Sequence, residues 1–169
     1  RDRAIVLCLS EMGLRASEVA CLAIDGIDFA SGTLSLRRSK QGRFIDLPMP
    51  RRVARALEVY LQRGRPACTS RIVFVLHRPP VGKPILPATV KDIVGRLAER
   101  AELGGRLNGA HVLRHSFASR MLRAGASLKQ IADLLGHRSI DTTTIYAKVD
   151  LKSLSQVALP WPGSKDSQR

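Results

Sequence analysis

Along the chain the apolar residues change their spacing several times, and each change marks a new element. Residues 3–12 read as a buried helix, with Ala4, Ile5, Val6 and Leu7 in its first turns and a break at Gly13. A second helix follows Arg15, with Val19, Ala20 and Leu22 as its apolar positions. Asp25 to Ser31 is turn-like. Thr33-Leu34-Ser35-Leu36 then alternates as a strand, Lys40-Gln41-Gly42 makes a turn, and Phe44-Ile45-Asp46-Leu47 returns, which predicts a small antiparallel hairpin. Pro50 opens a helix to about Arg63 whose Val53, Leu57 and Leu61 share one face. Residues 64–86 are rich in Pro and Gly, with a short strand at Ile72-Val73-Phe74-Val75. A helix runs from about Ala88 to Ala101, and Leu103 to Ala110 is a glycine-rich loop. From His111 the pattern is helical nearly to Val157, interrupted near Gly125 and Gly136. The expected fold is therefore mainly α, with a three-stranded antiparallel sheet inserted early. It lacks the alternation of strands and helices that builds a parallel sheet, and no Gly-rich phosphate loop ending in Lys-Ser or Lys-Thr is present.

Charge narrows the picture. The chain carries 28 Lys and Arg against 14 Asp and Glu, a net charge of +14, and its isoelectric point is near 11.0. That balance points to a nucleic-acid partner. The basic residues lie between apolar stretches, as in Arg37-Arg38-Ser39-Lys40 and Arg51-Arg52, so they belong to a folded surface rather than to a disordered arm. Aromatic residues are only 4% of the chain, which favours contact with a duplex backbone over stacking on single strands. Cys8, Cys21 and Cys68 have no metal-ligand spacing, and the first two sit in apolar runs, so they read as buried thiols in a reducing compartment. No run of eighteen apolar residues and no leader-like opening is present.

Three local patterns carry candidate chemistry. Arg15 leads a helix with Glu18 three residues on, in Gly13-Leu14-Arg15-Ala16-Ser17-Glu18. His111-Val112-Leu113-Arg114-His115 opens another helix, with His111 and Arg114 on one face beside a helix N-terminus suited to an anion. Leu134-Leu135-Gly136-His137 precedes Tyr146 by nine residues, with Gly136 as a left-handed helix stop and Ser139-Ile140-Asp141-Thr142 as the next helix start. Each also has a structural reading. Arg15 and Glu18 would make a surface contact, Arg114 a salt bridge, His111 a cap, Tyr146 a packing residue, and Lys40 a solvated turn lysine.

Taken in order and spacing, these motifs resemble the catalytic domain of the tyrosine recombinases, or phage integrases, from about residue 3 to about residue 157. The resemblance implies that Arg15, Lys40, His111, Arg114, His137 and Tyr146 are catalytic, with Glu18 supporting. The lysine position is Lys40, although a register counted back from Arg43 would put Arg38 there. The implied activity is site-specific cutting and rejoining of double-stranded DNA through a 3′-phosphotyrosyl link. Arg15, Arg114 and His137 would hold the phosphate, His111 would act as base and Lys40 as acid. No cofactor and no metal are implied. His115 is expected to pack or bond within the fold, and His77 has no assigned role.

The resemblance also implies a catalytic domain over residues 1–159, without the family's amino-terminal core-binding domain, and a flexible tail over 160–169. Leu151 to Leu159 would form a last helix that packs on its own domain or on a neighbouring protomer, in a tetramer on DNA for the full-length protein. The expected setting is the cytoplasm of a bacterium, at the nucleoid, with no membrane partner. Two rivals use the same features: a type IB topoisomerase, which relaxes one duplex, and a DNA-binding regulator in which Ser127 to His137 forms half of a helix-turn-helix.

Overall fold

A computed structural model describes residues 1–37, 44–103 and 109–136. The centre of the molecule is α1 (Asp2–Glu11), which buries Ala4, Ile5, Leu7, Cys8 and Leu9. Helix α3 (Arg51–Val59), α4 (Pro87–Arg100) and α5 (Ala110–Arg123) all pack on α1, and the short α2 (Ala16–Ala20) lies against α4. Burial of this many Leu, Ile and Val side chains, at about 1.5–3 kcal/mol each, supplies the main driving force. The cluster includes Ile5, Leu9, Leu14, Leu22, Leu57 and Ile93, each less than 2% exposed. Helix α6 (Leu128–Leu135) closes a smaller cluster of Ala118, Ile131 and Leu135, with Phe117 and Met121 packed on it.

The sheet has three antiparallel strands in the order β1 (Ile27–Asp28), β2 (Thr33–Arg37), β3 (Phe44–Pro48). Its register pairs Leu34 with both Ile27 and Leu47, so the buried Leu34, Leu36 and Leu47 face the core together. The mainly helical fold with its small sheet agrees with expectation, but the third strand comes from an unexpected place. The turn-like stretch from Asp25 to Ser31 contains β1, because Ile27 covers the edge of β2 before Asp28 accepts from the backbone of Ala30 and Ser31. Ile72–Val75, read as a strand, makes only single bridges, Ala23 to Ile72 and Val75 to Pro84. Arg65 holds that segment instead, donating to the carbonyls of Ser70, Ile72 and Val73 at 2.6, 2.9 and 3.1 Å. Its backbone N–H bonds five residues back to Tyr60 at 2.7 Å, so the helix expected to reach Arg63 widens into a π-turn after Val59.

The cysteines divide. Cys8 is buried in α1, and burial pushes its thiol up to about 12. Cys21 is exposed, contrary to its apolar neighbourhood. Helix α2 is too short to bury both sides: Val19, Ala20 and Leu22 take the core face, and Cys21 is left on the other.

Gly13 joins α1 to α2 with a backbone φ of +64°, and a Cβ there would lie 2.5 Å from Phe117 Cδ1 and 2.8 Å from Leu135 Cδ2. Helices α5 and α6 thus rest on a bare stretch of main chain. A Gly13→Ala substitution is expected to cost about 3 kcal/mol, roughly 1 from the left-handed backbone and about 2 from overpacking. The urea midpoint of unfolding measures it.

Candidate active site

The site is assembled where α1, α5 and α6 converge. Arg15 precedes α2, and Glu18 reaches back to it twice: Arg15 N donates to Oε2 at 2.7 Å and Nη1 to Oε1 at 2.9 Å. The first bond occupies a backbone N–H that the helix itself leaves without a partner. Glu18 is 9% exposed, so this is no surface contact. Another neighbour is Arg114, with Nη1 at 4.0 Å from Oε2. One buried carboxylate therefore lies between two guanidinium groups.

Arg114 sits on the buried face of α5 and is 8% exposed. It donates from Nη1 to the carbonyl of Gly13 at 2.6 Å and from Nη2 to that of Leu135 at 2.5 Å. Arg15 Nη2 donates to the next carbonyl, Gly136, at 2.9 Å. The last carbonyls of a helix have no acceptor role within it and carry the negative end of its dipole. The two arginines satisfy two such carbonyls at the end of α6, Leu135 and Gly136, and its stop is Gly136 in the left-handed conformation at φ 61°, as its sequence context predicts. The start of α6 is capped by Ser127, whose Oγ accepts from Gln130 N at 3.2 Å.

Gly109 is the N-cap of α5, so His111 lies inside the first turn and does not cap it. Its ring is exposed and meets that of His115 edge-on, with centroids 6.0 Å apart. The His115 imidazole is held below its ordinary 6.5 by lost solvation first, then by the charges of His111 and Arg114. His77 stacks on Tyr60, its Nε2 3.3 Å from the phenol oxygen, away from these residues.

Arg15, Glu18, His111 and Arg114 are thus brought together from positions up to 99 residues apart. Lys40 with its alternative Arg38, His137 and Tyr146 lie outside the described residues, as do the tail and the segment from Leu151 to Leu159. Two clefts border the cluster. One, of about 880 Å³, runs from Arg15 and Glu18 along the sheet to Arg37 and Phe44. The other, of about 430 Å³, is lined by Arg15, Lys91, His111 and Arg114 over Leu14 and Ala16. Lys91, on α4, went unnoticed in the sequence because it belongs to no motif. Elsewhere Arg1, Arg3, Arg51, Arg52, Arg55 and Arg63 line a groove of about 490 Å³. Among the described residues no group of three His, Cys, Asp or Glu side chains is placed to hold a metal ion, and no helix is long and apolar enough to cross a membrane.

Comparison with known proteins bears directly on this cluster. The sequence model of the phage integrase family matches residues 1–152. The chain belongs to the phage integrase family. A putative integrase/recombinase, y4rA of Sinorhizobium fredii, is 45% identical over 96% of this chain and 39% of its own length. Tyrosine recombinase XerA of Pyrococcus furiosus is 38% identical over 92% of this chain and 53% of its own. The crystal structure of XerH recombinase bound to its difH substrate after cleavage superposes with a TM-score of 0.79 at 25% identity, covering 95% of this chain and 46% of that one. The chain spans about two fifths to one half of these phage-integrase relatives' length.

Two outcomes are expected from this geometry. Arg114→Ala leaves the Gly13 and Leu135 carbonyls without their donor and the Glu18 carboxylate beside a lost charge, and lowers stability by about 3–5 kcal/mol; Arg114→Lys recovers only part, since one ammonium does not span both carbonyls. Chemical denaturation measures both. Because His115 is depressed in the folded state, the unfolded chain takes up its proton first as pH falls. Its contribution is complete above 6.5 and is lost as pH drops through the folded value. An NMR titration should place its imidazole below 6.5, and Arg114→Lys should leave it there.

Proposed function

We propose that this chain is the catalytic domain of a site-specific DNA recombinase, which cleaves and rejoins duplex strands through Tyr146. The observation that carries the reading is the pair Arg15 and Arg114, fixed beside one buried carboxylate and within one cleft with His111. Guanidinium groups remain charged at any working pH and match phosphate oxygens with their planar fork. Held in place before substrate arrives, such donors stabilise charge that develops only in the transition state, by roughly 3 kcal/mol each.

In the reaction, the Tyr146 phenol oxygen attacks the scissile phosphorus and the bond to the 5′-oxygen breaks. The phenol, with a free pKa of about 10, passes its proton to His111, and the departing oxygen takes one from Lys40. The products are a 3′-phosphotyrosyl ester and a free 5′-hydroxyl. Attack by that hydroxyl, or by one from a second duplex, reverses the step and releases the tyrosine. One ester replaces another throughout, so no external energy source enters. His137 would bond a phosphate oxygen, and Glu18 keeps Arg15 in place rather than moving protons. The names of the relatives favour recombination over relaxation of a single duplex or over a regulator without catalysis.

Further parts of the reading concern the whole protein. An amino-terminal domain would complete a clamp on DNA, and the full-length protein would act as a tetramer in the bacterial cytoplasm, at the nucleoid. The net charge of +14 supports DNA contact beyond the cleavage site.

The test is covalent trapping of the full-length protein on a suicide duplex. The wild type should form a protein–DNA adduct, Tyr146→Phe none, and Arg15→Ala an adduct about 100-fold more slowly, with folding checked by circular dichroism. An adduct that persists in Tyr146→Phe would overturn the choice of nucleophile.

A further inference from the structure

The cleft between α2, α4 and the start of α5 is lined by Arg15, Lys91, His111 and Arg114, over Leu14 and Ala16, and among the described residues no carboxylate lines it. Arg15 is turned toward Glu18 and Gly136, and Arg114 toward Gly13 and Leu135. Lys91 differs from both. It is exposed in the second turn of α4, and among the described residues its side chain has no hydrogen bond or ion pair. The wall opposite it is the first turn of α5, a 14-residue helix, whose N–H groups and dipole favour negative charge.

The volume matters as well. At about 430 Å³ the cleft has room for more than a single phosphate group. An ammonium on a flexible four-carbon stem suits a phosphate that needs a counter-charge without fixed geometry.

We propose that Lys91 binds the DNA phosphate next to the one cleaved, on the same strand, and so sets how the strand lies across the cleft. This rests on the recombinase reading above and adds a residue to it. Lys91 takes no part in proton transfer. It positions the strand, so that the scissile phosphate meets Arg15 and Arg114 in register. Its loss should weaken binding of all sequences alike, because a backbone phosphate carries no base identity.

The experiment measures binding by the full-length chain, in a Tyr146→Phe background so that no strand is cut, to a duplex with a neutral methylphosphonate placed, in turn, at each neighbour of the scissile phosphate. Lys91→Ala should weaken duplex binding roughly five- to tenfold near physiological salt and reduce the slope of log affinity against log salt by about 1. Lys91→Arg should restore both. One of the two methylphosphonates should weaken the chain that keeps Lys91 as much as Lys91→Ala does, and should have no further effect on Lys91→Ala. An unchanged salt slope, or effects of substitution and methylphosphonate that add at both positions, would overturn the proposal. Adduct formation on the unmodified duplex tests the Tyr146 reading separately, since binding and its salt slope are measured without any cleavage.

Discussion

The carboxylate of Glu18 and the two guanidinium groups beside it form the contact on which the rest of the arrangement depends. Taking such charges out of water costs several kcal/mol per ion unless the lost hydration is replaced. Here the replacement comes from each other and from three backbone carbonyls, those of Gly13, Leu135 and Gly136. The carbonyls belong to the end of α1 and the end of α6, while Arg114 belongs to α5. A single polar knot therefore ties together three elements whose apolar faces are packed by less specific forces. Hydrophobic burial makes α1, α5 and α6 associate, and the knot decides at which rotation and height they do so.

The same knot holds Arg15 and Arg114 in place before any ligand arrives. Free arginine side chains carry about 2 kcal/mol of rotamer entropy. Arg15 is tethered by Glu18 on one side and by the α6 carbonyl on the other, and Arg114 is held within the core. The ordering has been met during folding, so it need not be met again when a phosphate binds. Helix α6 also ends directly on these arginines, and the chain continues from Gly136 into His137.

Around this centre the charge is unevenly distributed. Glu18 is turned inward, and the smaller cleft presents the cations Arg15, Lys91 and Arg114. A groove lined by six arginines lies elsewhere, beside α1 and α3. Lys91 reaches the centre from α4, which shares no motif with the other residues. Its place follows from the packing of α4 against α2 and from the burial of Val90, the preceding residue of the helix, in the core.

Much of this protein was legible along the chain. Local rules decide where a helix stops, and Gly13, Gly136 and Ser127 do what such residues do at helix ends. Alternation placed β2 and β3, and the order of Arg15, His111 and Arg114 marked the family. The sequence alone did not reveal β1, the exposure of Cys21, the burial of Glu18, or Lys91 on the cleft wall. These depend on which surfaces meet across tens of residues. The bonds that hold Arg15 and Arg114 were hidden for a further reason. Their acceptors are main-chain carbonyls, which every residue carries alike, so no side-chain pattern announces them; only the tertiary packing of α1 against α5 and α6 selects which three are used.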